Sequence, residues 1–590
     1  RGCSSAPTSK PGVLSQLLGE FSCFTLAILA IEMARACRST TAVTLLSASV
    51  AFLGGQCAAS ASTFLEHRAH DDAQWKGLLN ELEAALGSGR RAAAEARVTQ
   101  FEDAMRPVFA ALPRLHGERL ASSSVRYLLH RTFAERHGWF VEGLASMGEA
   151  WNSSSPTAFF AEHAGEAQSA FERRLGSQGL SLRETAVFAA TLESLVHEET
   201  LARLHSTYRV LGLDAKEDSA REQEVERVVD TYMMMLVLGL DHSSVDPKVV
   251  SRAWAHIETI YPTWGETQKW VREVRKEVVS ATPETRTAFA TTVRVLEEIA
   301  DRYGRWQDSE CIDLKSTLMR YEREGTGRVP LKDFYGAALN GSFQFTERQE
   351  YLQQLGVLDV SRPSQPSVII SNYINGASNC LASSKFYSVC CISECEALMK
   401  PLERHIAAPE ALPGRIVELV EQLPSATVDA PRSLPAALIQ RLEEIAEQHG
   451  GRVPLHGRLF AQWMHHAYPR ECPYPHISGT TQHLTATQYK EMHGTSFAHN
   501  ASTLHVAVEA FSQEDEGADD GEVASMSLPW STEEELFVAL PPRQWGQELR
   551  RLARWLMMVL AASSMSVATL RAAAGGQAAF CGQTGEKYTV

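Results

Sequence analysis

Residues 311–335 read CIDLKSTLMRYEREGTGRVPLKDFY, and residues 435–459 read PAALIQRLEEIAEQHGGRVPLHGRL. The pentapeptide Gly-Arg-Val-Pro-Leu stands in both, at Gly327–Leu331 and Gly451–Leu455, 124 residues apart. The same offset carries Leu314, Leu318 and Tyr321 onto Leu438, Leu442 and Ile445. These apolar residues recur at helical spacing, so each copy reads as an amphipathic helix, a Gly-containing turn and a second helix. Matching flanks make coincidence a poorer account than the pentapeptide alone would.

Helix–loop–helix units of this layout are EF-hand-like. Such a loop sets oxygen ligands at positions 1, 3, 5, 7, 9 and 12, with Gly at 6 for the sharp turn. With Gly327 at position 6, Glu322, Glu324 and Thr326 fall at 1, 3 and 5, and Asp333 falls at 12. Alternating carboxylates would converge on one hard cation, so calcium is the candidate cofactor. Three departures weaken the grip. Glu322 is one methylene longer than the usual Asp, Asp333 is short for a bidentate last ligand, and Pro330 sits at position 9. In the second copy the ligand positions hold Ala446, Gln448, Gly450 and Gly457, with no carboxylate. The pair reads as EF-hand-like scaffolding with one weak cation site, or as helical hairpins that share only the spacing.

N-terminal to these units, residues 63–310 read as helix after helix, a bundle or a stack of helix pairs. Trp75, Leu78, Leu79, Leu82 and Leu86 recur at helical spacing, as do Phe289, Val293, Leu296, Ile299 and Tyr303. Thr282 and Pro283 read as the start of the second helix. Arg221–Leu240 is a further helix, with Met233–Leu240 buried on most sides. C-terminal to the first unit the composition changes. Ser361–Ser367 reads as a linker, and Val368–Tyr373 and Phe386–Ile392 read as strands. Glu394–Ile406 is a helix, Leu423–Pro435 a Pro-rich break, and Thr503–Phe511 alternates as a half-buried strand. Glu514–Glu522 is an acidic, Gly-containing loop.

The expected fold class is therefore mainly α: an N-terminal helical domain (63–310), a first EF-hand-like unit (311–360), and a Cys-containing α+β region with the second unit (368–512). An acidic linker with a short C-terminal segment (513–545) follows.

A secretory placement rests on the N-terminus. From Met33, Arg35 and Arg38 form a basic region, Ala42–Leu53 an apolar one, and small residues follow at Ala58–Ser62. That order is a signal peptide over residues 33–60, with residues 1–32 read as untranslated or as part of a longer leader. Asn152, Asn340 and Asn500 begin Asn-x-Ser sequons, candidates for glycosylation. Trp555–Leu570 is an apolar run of 16 residues, a candidate transmembrane helix shorter than the usual span of about 20. A buried or interfacial helix is the alternative. The body is expected in the lumen or outside the cell, membrane-anchored or secreted, with an unknown protein partner. A net charge of −15 argues against nucleic acid.

Between the signal and the apolar run stand six cysteines: Cys311, Cys380, Cys390, Cys391, Cys395 and Cys472. An even count in an oxidising compartment points to disulfides, and the spacing leaves the pairing open apart from two expectations. Adjacent Cys390 and Cys391 do not bond each other, and Cys472 bonds one of the Cys380–Cys395 cluster. The alternative is zinc held by His465, His466, Cys472 and His476 in WMHHAYPRECPYPH, with His483 as an extra ligand and a metal-dependent enzyme as its consequence. No Cys-x-x-Cys partner supports it. His197-Glu198 lacks the second His at the right spacing for a zinc protease. No Gly-x-Ser-x-Gly elbow, P-loop or dinucleotide fingerprint occurs.

Ser371–Met399 (SNYINGASNCLASSKFYSVCCISECEALM) and Gly450–Gly479, with RVPLHGRLFAQWMHHAYPRECPYPHISG, resemble a family of uncharacterised secretory and membrane proteins of alveolate protists. The resemblance covers residues 190–500. It implies a signal peptide and an apolar C-terminal segment, and it carries no catalytic residues. Three functions follow as expectations: a binding or scaffold module of the secretory pathway, a calcium-responsive luminal or cell-surface protein, and a zinc-dependent enzyme.

Overall fold

The computed structural model describes residues 91–515 and 530–539, apart from 116–117, 142, 145–168, 170, 174, 177–178, 215–221, 243–244, 282–287, 324, 340–343, 363–364, 382–383 and 385. The signal region, Trp75–Leu86, Thr282 with Pro283, Asn152, Asn340, most of the acidic loop and Trp555–Leu570 lie outside these residues. Among the described residues no helix is long and apolar enough to cross a membrane.

The helical half follows the apolar periodicity. Its described helices include α1 (Arg91–Ala111), α2 (Ser122–His137), α3 (Leu182–Leu211), α4 (Glu222–Val237), α5 (Pro247–Ile260), α6 (Trp264–Ala281) and α7 (Ala288–Met319). A hairpin, β1 (Arg114–Leu115) and β2 (Arg119–Leu120), joins α1 to α2, and β3 (Trp139–Val141) follows α2. Ser181 and Glu184 make a capping box that starts α3, and Gly212 at φ 70° ends it. Phe101, Phe133, Leu192, Met233, Val271 and Leu296 share one core.

Helix α7 runs through the expected boundary at 310. Its first half packs on the helical body through Val295, Ile299 and Tyr303, and its second half brings Cys311, Leu314 and Leu318 into a separate core. One rigid rod thus belongs to both.

Beyond α7 the chain forms four helix–strand–helix units. The first is the end of α7, β4 (Arg328–Pro330) and α8 (Leu331–Leu339). The second is α9 (Gln349–Gln354), β5 (Leu358–Asp359), β6 (Ser367–Ile369) and α10 (Ile370–Ile374). After β7 (Tyr387–Val389) come α11 (Glu394–Ile406), β8 (Glu410–Ala411) and α12 (Pro413–Glu421), then α13 (Ala436–Gln448), β9 (Val453–Pro454) and α14 (Arg458–Ala467). Strand β4 pairs antiparallel with β6, Val329 opposite Val368, and β8 pairs with β9, Ala411 opposite Val453. The two GRVPL copies therefore do not pair with each other. Each takes a partner loop that the sequence did not announce. Leu438, Leu442 and Ile445 are buried in the core of the second pair, each contributing about 1.5–3 kcal/mol.

Three expected elements change. Ser361–Ser367 does not separate domains, because β5 and β6 on either side of it pair in one sheet. Val368–Tyr373 is a strand only to Ile369. There Ile370 N donates to Gly327 O, and helix α10 begins. Thr503–Phe511 is helical, inside α16 (Ala501–Asp515), which follows α15 (Ala486–His493). Leu504, Ala507, Val508 and Phe511 face the first pair's core at helical spacing, against α8. Phe386–Ile392 contains β7, which pairs with β3 of the helical half, Trp139 opposite Val389.

The six cysteines pair as Cys311–Cys391, Cys380–Cys390 and Cys395–Cys472. The first and last close loops of 80 and 77 residues, worth about 4–5 kcal/mol each in the chain-entropy model. Residues 530–539 return across the second pair. Arg458 Nε donates to Glu533 O at 2.8 Å, Phe537 N donates to His456 O, and Val538 enters the helical core.

The two pentapeptide glycines separate two costs. Both adopt positive φ, +72° at Gly327 and +89° at Gly451. A Cβ on Gly327 would meet Pro469 O at 2.5 Å, whereas one on Gly451 meets nothing within 4 Å. Gly451→Ala should cost about 1–2 kcal/mol for the left-handed backbone. Gly327→Ala should lower the melting temperature further, because it also drives the two pairs apart. Equal losses would show that the Gly327–Pro469 contact carries no stability.

Candidate functional site

Helical body and both pairs meet around a cavity of about 270 Å³. Helix α2 lines it with Tyr127, His130 and Arg131, and β3 adds Trp139 and Phe140. Helix α11 contributes Glu396 and Met399, and the second pair contributes His456, Phe460 and Met464. Asn372, Pro475, His476 and Phe537 complete much of the remaining wall.

Arg131 is 3% exposed and carries the junction. It donates to Tyr127 Oη at 3.2 Å, to Glu396 O at 3.0 Å and to Glu403 Oε2 at 3.3 Å. Glu403, fully buried on α11, also accepts from Tyr127 Oη at 3.4 Å and faces His456 Nε2 at 3.1 Å. Burial alone would raise the Glu403 carboxyl, but Arg131 and the His456 hydrogen bond hold it below the usual carboxylate range. Glu403 is thus the anion of the junction.

Glu396 behaves otherwise. Its side chain is one-fifth exposed, on the cavity side, with Oε2 3.6 Å from Arg131 Nε and Oε1 3.6 Å from His130 Nε2. Burial pushes it up to about 7, against the pull of Arg131. Burial, with Arg131 nearby, pushes His130 down to about 4. Near neutrality the imidazole is uncharged and the carboxyl half protonated, so the wall offers hydrogen-bonding groups with little net charge.

The sequence-derived candidates lie elsewhere. Glu322 Oε1 accepts from Gly327 N at 2.5 Å, and Oε2 pairs with Arg470 Nε at 2.8 Å. The first expected calcium ligand therefore braces its own loop and meets a guanidinium from the second pair. Thr326 Oγ1 donates to Arg323 O, Asp333 sits in the first turn of α8, and Glu324 lies outside the described residues. The expected zinc set is not assembled either. Cys472 is bonded to Cys395, so its sulfur has no valence left for a metal. His465 Nδ1 donates to Cys472 O at 2.7 Å, with the ring pushed down to about 3 mainly by burial. His476 Nε2 donates to Gly356 O at 2.7 Å, and His466 packs toward Trp530. His483 stacks on Phe140 at the cavity mouth. Asn500 is exposed, and its Oδ1 accepts from Thr503 N at the start of α16.

His130, Arg131, Glu396, Glu403 and His456 were missed. One signal was available: Arg126, His130 and Arg131 interrupt the apolar stretches of α2 in a helix that is mostly buried. Charged groups so placed need partners, but the partners lie more than 260 residues away in sequence.

No family model, curated protein or solved structure matches the chain.

Glu396 gives a pH test with a defined sign. Its folded pKa is raised, so its stabilising contribution is complete below the ordinary carboxylate range and is lost as pH rises through about 7. Glu396→Gln mimics the protonated side chain. The variant should melt above the parent at pH 8, and the gap should close toward pH 5. A variant that melts lower at pH 8 would mean that the Arg131 ion pair outweighs desolvation.

Proposed function

We propose that this chain is a ligand-binding protein of the secretory pathway, tethered through its C-terminal apolar segment. In this reading the EF-hand-like pairs serve as a rigid frame and not as calcium switches. The observation that carries it is the junction cavity, with apolar walls and a few convergent polar groups that bear little charge near neutrality. Three disulfides are compatible with a secreted or extracellular protein. The alveolate resemblance agrees with that placement.

The lining selects a ligand class. Trp139 and Phe140 add aromatic surface to the walls, and Met399 and Met464 adapt to irregular shapes. Glu403 neutralises Arg131, leaving no unpaired cation for a carboxylate ligand to meet there. A small aromatic molecule that is uncharged or weakly basic suits such walls. The calcium-responsive alternative has less support, because Glu322 already meets Arg470.

Thermal melts of the full chain with indole, benzimidazole and benzoate test the proposal. Indole and benzimidazole should raise the melting temperature, and benzoate should not. A ligand at roughly 100 times its Kd adds about 2.7 kcal/mol. Ala461 lines the cavity, and Ala461→Phe should abolish the shift by filling it. No shift with any probe, or a shift that survives Ala461→Phe, would refute the proposal.

A further inference from the structure

Residues 530–539 (WSTEEELFVA) lie across the second pair as a strap that contains no helix and one isolated antiparallel bridge, Leu536 opposite Gly457. Among them only Val538 is buried; Trp530, Ser531 and Glu534 to Phe537 are half-buried, and Thr532, Glu533 and Ala539 are exposed. Polar contacts hold the strap more than apolar burial does. A peptide added to an exposed edge is held in the same way, chiefly by main-chain hydrogen bonds.

The receiving surface supplies those bonds from buried side chains. Arg458, at the start of α14, is 1% exposed, and Gln462, one turn on, is 0% exposed. Arg458 Nη2 donates to Ser531 Oγ at 3.1 Å, and Nε donates to Glu533 O at 2.8 Å. Gln462 Nε2 donates to Ser531 O, and its Oε1 accepts from Ser531 N, each at 3.3 Å. Further along, Arg458 N donates to Glu535 O at 2.8 Å and Phe537 N donates to His456 O at 3.0 Å.

Two carboxylates add selectivity to this backbone grip. Glu534 Oε1 accepts from Leu459 N at 3.1 Å in the first turn of α14, and its Oε2 faces His449 Nε2 at 2.9 Å. Unpaired N–H groups and the helix dipole both favour an anion there. Glu535 Oε2 accepts from Ser478 N at 3.0 Å. Gly457 leaves room for the first carboxylate: a Cβ there would lie 3.1 Å from both Glu534 oxygens. At the strap's start, the Arg441 guanidinium lies 5.3 Å from the centre of the Trp530 ring. A chain of net charge −15 thus gathers Arg441, His449 and Arg458 along one acidic segment.

We infer that this face of the second pair is a recognition site for an extended acidic peptide, in which two adjacent carboxylates are followed by apolar residues. Residues 531–538 are its tethered occupant, and the partner is a segment of another protein with the same chemistry. Exchange is feasible because little apolar surface is uncovered when the strap leaves. Tethering raises the occupant's effective concentration, to about the millimolar range for short linkers, so a free peptide meets a filled site. Phe537 also lines the cavity, but the inference does not rest on a ligand there.

The test uses the full chain carrying Glu534→Lys and Glu535→Lys, which repels the strap from its site, and a fluorescent peptide of residues 531–539. Anisotropy should show saturable binding to this variant and at least tenfold weaker binding to the parent chain. The same peptide with Glu534→Gln and Glu535→Gln should bind the variant at least tenfold less tightly. Adding His449→Ala to the variant should weaken the unmodified peptide severalfold. No binding to the folded variant would overturn the inference, as would equal binding of the two peptides. Hydrogen exchange on the parent chain decides the matter if the variant misfolds. The Arg458 and Phe537 amides, which bond across to and from the strap, should exchange well before the Trp463 amide inside α14. Exchange of all three only on global unfolding would make the strap a fixed part of the fold and overturn the inference.

Discussion

The docking of the second pair on the helical body turns on one buried anion. Glu403 is fully buried, on α11, and it is held at once by Arg131 and Tyr127 from α2 and by His456 from the second pair. Removing a carboxylate and a guanidinium from water costs several kcal/mol per ion, and their attraction offsets this only when the remaining donors are satisfied. Here the Glu403 carboxylate meets three partners on two bodies, while Arg131 Nε and His456 Nδ1 make no hydrogen bond. The network works as a register pin for docking α11 on α2. Because the pin is polar, the space beside it does not collapse into an apolar core, and the cavity persists next to it.

Covalent links reinforce the same junction. Cys311–Cys391 fastens α7 beside β7, and Cys395–Cys472 fastens the first turn of α11 to the segment after α14. Between them, β7 pairs with β3, so the helical half and the disulfide region share a ladder. The Glu322–Arg470 pair completes the closure from the other side. A carboxylate that could have recruited a cation from solution is met by one from the chain. Calcium-type switching needs a ligand set that is incomplete without the ion. At Glu322 the chain itself supplies the cationic partner.

Much of the architecture was legible in the sequence, and what was not has a physical cause. The helix Glu394–Ile406 and the buried triad Leu438, Leu442 and Ile445 follow directly from apolar period and turn residues. Thr503–Phe511 misled because nine residues can satisfy both the alternating and the helical template, and only docking against α8 decides between them. Val368–Tyr373 misled because Ile369 and Ile370 favour strands, while Ser371 and Asn372 are drawn into helix α10. Their side chains bond Pro469 O, Cys472 O and Tyr474 O across about 100 residues. The cavity was illegible for the same reason. Its charged residues are ordinary helix residues until the tertiary fold faces them toward one another.

The pentapeptide that revealed the repeat marks opposite places in the two pairs, the first loop of one and the second loop of the other. Duplication of a whole pair would have put it in matching places, so its recurrence reflects what such a loop requires. Glycine supplies the positive φ that turns the chain out of the first helix. Valine, at 0% exposure in both copies, enters the ladder with its side chain in the core. Proline follows as the last ladder residue, where its missing N–H costs no bond and its fixed φ ends the strand. Leucine, at 1% and 2% exposure, seals the core at the start of the next segment. None of these four roles needs a metal. The same five residues can therefore persist where the ligand positions hold Ala446, Gln448 and Gly450, as well as where Glu322 is met by Arg470.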